Sequence, residues 1–281
     1  MPVERGPYLE RGRVPLGPLG LLRTRRLGGH LKVLKWLREQ SCPWNEMTRA
    51  RAAAGGHLNV LVWARQHGCP WTEDLEGHPD LDSCALAARG GYLEVLKWLR
   101  DQDCQWDEYT YAAAAACGHL EVLVWARAMG CPWSEEVPNP DLDYCAIAAE
   151  GGFLDVLKWL REHGRPWNGG TCAAAATGGH LDVLVWAREH GCPWSEDLEH
   201  EHEDCCALAA MGGHLDVLKW LRGQECPWNE GTCASAAGGG HLETLVWARQ
   251  HGCPWHEDTR RRAARGGHLQ VLRWLDEHGA P

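Results

Sequence analysis

Phenylalanine occurs once, at Phe153, and tyrosine and methionine are scarce, with five and four residues in a chain of 281. A core of ordinary size must therefore take its bulk from other side chains. The fourteen cysteines contain no Cys-x-x-Cys pair, which removes the usual spacing of a structural zinc site. No apolar run is long enough to cross a bilayer. The apolar stretch from Val14 to Leu22 is broken by Pro15, Gly17, Pro18 and Gly20, unlike the core of a signal peptide. Positive charge is in the minority, with 28 Lys and Arg against 38 Asp and Glu, a formal net charge of −10. That balance argues against nucleic acid as the main ligand.

What is abundant is repetition. The stretch Gly178 to Trp194 reads GGHLDVLVWAREHGCPW, and its residue types are those of hydrolases and metal sites. Related stretches start at Gly28, Gly55, Gly90, Cys117, Gly151, Gly212 and Gly239, with a partial one at Gly266. A catalytic centre is built once per domain, so a unit present nine times is architectural. The ring-bearing residues at 30, 57, 92, 119, 153, 180, 214, 241 and 268 are spaced by 27, 35, 27, 34, 27, 34, 27 and 27. The long spacings follow WAR units and the short ones follow WLR units, except after Trp247, so the chain is built on a two-unit repeat.

Each unit reads as two helices. The first is short and Ala-rich, as in TCAAAAT from Thr171, TCASAAG from Thr232 and TYAAAAA from Thr110, with Thr as the expected helix opener. A Gly-Gly turn follows. The second helix carries Leu181, Val183, Leu184, Trp186 and Ala187 on its apolar side and an acid such as Asp182 in its first turn. Gly191 and Pro193 end it. Such a pair cannot bury its apolar face alone, and stacked copies form a solenoid.

The run A-A-x-G-G-H-L-[DE]-V-L-x-W-L-x-x-x-G resembles the core of the ankyrin repeat over about residues 21–281. The resemblance implies an all-α, ankyrin-like solenoid of about nine helix-turn-helix repeats, and residues 1–20 before it, rich in Pro and Gly, read as a disordered segment. The ankyrin T-P-L-H opening is absent, Trp replaces a second-helix Leu, and GCPW stands where the hairpin sequence belongs. The projecting β-hairpin finger is therefore expected to be reduced.

The suspicious residue types then acquire plain roles. All 17 Trp fall into two columns, nine on the second helix and eight in the link, and are expected to supply core bulk. Trp186 is expected to carry more stability than Trp274, which lacks a C-terminal neighbour. The Gly-Gly-His residue becomes Tyr92 or Phe153 in two units, a swap that a turn-packing role survives and a metal role does not. The Cys columns read as buried reduced thiols. Pairs within a unit are less easily excluded, for instance Cys131 with Cys145 or Cys192 with Cys206 across its link, but Arg49, Tyr111 and Arg165 stand at matching positions, so neither column is kept as a pair.

The resemblance implies a protein-interaction scaffold that binds a protein partner on its concave face, as a monomer in the cytoplasm or nucleus. Alternatives are the substrate-recognition subunit of a targeting or degradation complex, and a metal-binding module. No catalytic, cofactor or metal residue is assigned. Specificity is expected where units differ, at Arg51, Leu86, Arg89, Ile147, Glu150, Leu208 and Met211 on the first helices. Three links after Trp71, Trp133 and Trp194 hold five, four and six acids and no Lys or Arg. Their Glu73, Asp74, Glu135, Glu136, Glu196 and Asp197 form a candidate second rim for a basic partner. Arg260 to Arg262, in the last unit, are a further candidate for phosphate contact.

Overall fold

The computed structural model describes residues 29–44, 47–71, 82–133, 143–194 and 204–279. Among these residues there are 17 α-helices and no strand, and none of the helices is long and apolar enough to cross a membrane. The expectations for residues 1–20 and for the first helix of the first unit fall outside the described residues. The architecture is the expected all-α solenoid of stacked helix pairs. Its second helices are α1 (Leu31–Glu39), α3 (Leu58–Gln66), α5 (Leu93–Asp101), α7 (Leu120–Ala128), α9 (Leu154–Glu162), α11 (Leu181–Glu189), α13 (Leu215–Gly223), α15 (Leu242–Gln250) and α17 (Leu269–Glu277). Its first helices are α2 (Met47–Ala54), α4 (Ser83–Arg89), α6 (Glu108–Ala115), α8 (Tyr144–Glu150), α10 (Gly169–Gly178), α12 (Cys205–Gly212), α14 (Glu230–Gly239) and α16 (Thr259–Arg265).

Neighbouring first helices touch closely along the row, whereas second helices meet their equivalents sparsely. Alanine accounts for the difference. Ala87, Ala88, Ala148, Ala149, Ala175, Ala176, Ala209 and Ala210 are fully buried, and their small side chains let the backbones approach. The first helices therefore form the tighter of the two rows.

The openers differ from the sequence expectation. Thr110, Thr171 and Thr232 are buried inside their helices rather than capping them. The N-cap is an Asp or Asn: Asp82, Asp107, Asp143, Asn168, Asp204 and Asn229 each accept a backbone N–H of the first turn. A β-branched Thr fills volume at the helix–helix seam, and the cap falls three residues upstream of it. The last acid of each long link is thereby used structurally, as Asp82, Asp143 or Asp204.

Both helices of a unit close in the same way. The His180 N–H bonds Ala175 O at 3.0 Å across Gly179, and the Cys192 N–H bonds Ala187 O at 2.9 Å across Gly191. Both are the six-to-one bond that follows a left-handed residue at a helix C-terminus. The His of Gly-Gly-His supplies no side-chain cap to the second helix. Its ring instead lies over glycine: a Cβ on Gly179 would stand 2.3 Å from His214 Nδ1, and one on Gly212 2.4 Å from His214 Nε2. His214 Nε2 also reaches Thr177 O at 3.0 Å, and His119 and His268 repeat the bond to Arg89 O and Gly238 O. Tyr92 and Phe153 keep the ring without that bond, which is the turn-packing role expected of this column.

The tryptophans are a partial correction. None is fully buried, and eight of nine units use them in pairs at the seam. Each link Trp meets the second-helix Trp of the following unit, as in Trp167–Trp186 with ring centroids 5.7 Å apart and Trp255–Trp274 at 6.0 Å. The second-helix Trp thus points back to the preceding unit. Trp274 has the same aromatic partner as Trp186, so the expected deficit at the C-terminal end is misplaced. It falls at the other end, where Trp36 is 55% exposed and has no ring partner among the described residues.

Candidate functional site

The face available to a partner is built from the outward side of the first helices. Leu86 and Arg89 lie one turn apart on α4, Ile147 and Glu150 on α8, and Leu208 and Met211 on α12. Leu86, Ile147 and Leu208 are half-buried, while Arg89, Glu150 and Met211 are exposed. Arg51 is half-buried on α2. The intervening helices carry small residues at the matching positions: Ala113 and Ala116 by α6, Ala174 and Thr177 on α10, Ser235 and Gly238 on α14. The two-unit repeat thus produces a corrugated face, with bulky rows on α4, α8 and α12 separated by low ones on α6 and α10. Its charges are unevenly placed, with Arg51 and Arg89 toward one end, Glu150 in the middle, and Arg262 and Arg265 toward the other.

Glu73, Asp74, Glu135, Glu136, Glu196 and Asp197 lie outside the described residues. The basic run of the last unit is largely satisfied within it. Arg260 pairs with Asp276, and Arg261 with Asp258 at 2.6 Å, while Arg262 is half-buried.

On the second-helix side, one device recurs that the sequence reading missed. The Arg of each W-[LA]-R stacks on the link Trp six residues on: Arg161 on Trp167 at 4.2 Å, Arg188 on Trp194 at 3.9 Å, Arg222 on Trp228 at 4.2 Å. The same guanidinium donates to the carbonyl two residues before that Trp, as Arg222 does to Cys226 O at 2.7 Å. Each link indole is therefore held between an Arg of its own unit and a Trp of the next, which fixes neighbouring units in register. The fixed interval of six residues was the available signal. At one junction the device grows into a cluster of Tyr111, Trp133, Tyr144 and Trp159, with the buried Arg165 over Tyr144 at 4.6 Å and Trp133 at 5.0 Å.

The cysteines pair in a different register from the one weighed in the sequence. Partners lie within a folded-back helix pair, not across a link: Cys84 with Cys104, Cys172 with Cys192, Cys206 with Cys226, and Cys233 with Cys253. Tyr111 opposes Cys131 in the same register. All fourteen cysteines are free thiols. The shared hydrogen bond first, and burial second, hold Cys172 and Cys206 protonated far above the ordinary thiol range. Cys192 is the acceptor of its pair, and the same bond pulls it down. Burial first, and the nearby carboxylates of Asp107 and Asp143 second, push Cys131 and Cys145 up to about 12. Thiols held neutral are poor nucleophiles. Under native conditions only the half-buried Cys42 and Cys117 are expected to react promptly with a thiol reagent, and all fourteen after denaturation. Unfolding midpoints with and without reductant are expected to agree. Prompt native reaction of several further thiols, or a drop in midpoint with reductant, would contradict the packing role.

The arrangement contains no unique nucleophile–base constellation among the described residues. No protein-family model matches the chain, and no curated protein matches it. Among solved structures, the chain is similar to the crystal structure of the human ASB11 ankyrin repeat domain. The two share 16% sequence identity with a TM-score of 0.47, over 61% of this chain and 84% of that chain.

Proposed function

We propose that this ankyrin-like solenoid is a non-enzymatic scaffold that binds a protein partner along its concave face. The observation that carries the reading is the corrugated row of first helices. Positions that pack between units hold the same Ala pair in eight of the nine units. The outward positions change from unit to unit, from Leu86 and Arg89 to Ile147 and Glu150 to Leu208 and Met211. A surface that varies on an invariant frame is what partner recognition needs. Met211, 49% exposed beside the half-buried Leu208, offers an adaptable apolar anchor.

The acidic links extend the reading. Glu73, Asp74, Glu135, Glu136, Glu196 and Asp197 give the partner side of the interface a basic segment, with association that weakens as salt rises. The chain acts as a monomer in a reducing compartment, cytoplasm or nucleus, in keeping with its free thiols.

Two variants test this, each against wild type with the thermal midpoint as a folding control. Arg89→Glu with Met211→Glu should keep the midpoint, because both side chains are exposed, and weaken partner binding by about thirtyfold or more. Replacement of the six link acids by Gln or Asn should slow association and flatten its salt dependence. Unchanged binding in the first variant removes the concave face from the interface. Unchanged salt dependence in the second leaves the links as solubilising segments.

A further inference from the structure

The cysteine register has one exceptional unit. At the start of α12, Asp204 caps the helix and Cys206 sits in its first turn. Cys226 follows α13 in the link of the same unit. The ligand atoms of Asp204, Cys206 and Cys226 all lie within 4.8 Å of one another, the one such His/Cys/Asp/Glu group among the described residues. Cys206 and Cys226 are buried, at 0% and 4% exposure, and Asp204 is half-buried.

Comparison within the chain shows what sets this unit apart. Units containing Cys172 and Cys192, or Cys233 and Cys253, have the thiol pair but an amide cap, Asn168 or Asn229. The unit of Cys84 and Cys104 has the same residue types with Asp82, but its carboxylate bonds only backbone. The Asp204 carboxylate accepts from the Cys206 backbone at 2.8 Å and also from the Cys206 thiol. Among the described units with a thiol pair, only here does the carboxylate accept from a thiol, that of Cys206. Cys205 adds a third buried thiol where other units have Ser83, Thr110, Thr171 or Thr232.

We propose that Asp204, Cys206 and Cys226 form a binding site for one thiophilic divalent cation of the zinc class. Two sulfurs and one carboxylate oxygen are the ligand types such an ion takes, at about 2.3 Å and 2.0–2.2 Å. Tetrahedral bonding at those lengths brings ligand atoms to roughly 3.5–3.8 Å, reached from the present cluster by rotamer adjustment. The balance is simple: two S–H protons leave to solvent as two metal–sulfur bonds form, and the carboxylate supplies the third bond. The site then carries −1, from +2 on the metal against −3 on its ligands. Arg222, whose charge already acts on Asp204, lies beside it to offset that charge. With three protein ligands, the fourth position is left for water or a group brought from outside.

The test uses the full chain, reduced and metal-free, titrated with cadmium(II) alone. The readouts are calorimetric stoichiometry and the ultraviolet sulfur-to-cadmium charge-transfer absorption. One cadmium per chain is expected, with Kd tightening by up to about 100-fold per pH unit, since two protons are released. Asp204→Asn should weaken binding at least tenfold while keeping the helix cap, as Asn168 and Asn229 do in their own units. Cys206→Ser should abolish the charge-transfer band at stoichiometric metal. Cys84→Ser, in the comparison unit, should change neither. Circular dichroism confirms that each variant is folded. The proposal is overturned by a folded wild type that gives no charge-transfer band. It is equally overturned if Asp204→Asn binds as tightly as wild type, or if uptake follows the number of thiol pairs.

Discussion

Alanine at Trp186 is expected to lower the unfolding free energy by about 2–4 kcal/mol, while alanine at Trp36 costs less than about 1 kcal/mol. The chemistry removed is the same, and the difference lies in what each indole touches. Trp186 meets Trp167 at 66° between planes, and stacks on His190 at 4.4 Å, whose Nδ1 bonds Trp186 O at 2.8 Å. Trp167 is itself covered by Arg161. Removing the Trp186 ring therefore opens a seam between two units, at a loss below the full range for a buried aromatic because the ring is half-buried. Trp36 is 55% exposed with no link indole in front of it among the described residues. Trp274→Ala should resemble Trp186→Ala, since Trp255 and His278 give it the same two ring partners. Chemical denaturation followed by far-ultraviolet circular dichroism measures all three. A Trp274 loss as small as that of Trp36 would show that the seam is held from the C-terminal side instead.

The frame of the molecule is legible in its sequence because each unit repeats its instructions. Leu, Val, Leu and Trp at helical spacing, Ala pairs, and Gly-Gly turns define two helices per unit, and nine copies define the stack. Features joining residues distant in the chain were less legible. The thiol pairs are twenty residues apart, across a folded-back helix pair, and the fourteen-residue interval across a link looked nearer only along the chain. The caps were misassigned because Thr is a good opener in isolation, while in the stack its volume is needed at the seam and Asp or Asn takes the cap. The candidate partner-binding positions follow from helix periodicity once the tighter row is known. Their corrugation needed the knowledge that α4, α8 and α12 alternate with small-residue helices along that row.

The largest effect is expected from a single methyl group. Gly179→Ala should destabilise the chain by roughly 2–5 kcal/mol, the sum of about 1–2 for a left-handed alanine and about 1–3 for overpacking. Gly179 has φ 75°, and a Cβ there would stand 2.3 to 2.6 Å from three atoms of the His214 ring. The ring has little room to yield, because Gly212 lies against it and its Nε2 is held by Thr177 O. Gly191→Ala is the matched control. It has φ 83°, but a Cβ there meets nothing within 4 Å, so only the backbone cost of about 1–2 kcal/mol applies. The chain has already made this comparison. In the Gly191 column, Ser41, Asp103 and Glu225 adopt positive φ of 56° to 59°. In the Gly179 column, residues 29, 56, 91, 118, 152, 179, 213 and 240 each face a ring of the following unit, and all eight are glycine. Backbone strain alone is tolerated here, and the ring from the following unit is what forbids a side chain. Equal losses at Gly179 and Gly191 would refute that account. Adding His214→Ala to Gly179→Ala should recover part of the packing cost, since the obstructing ring is then gone.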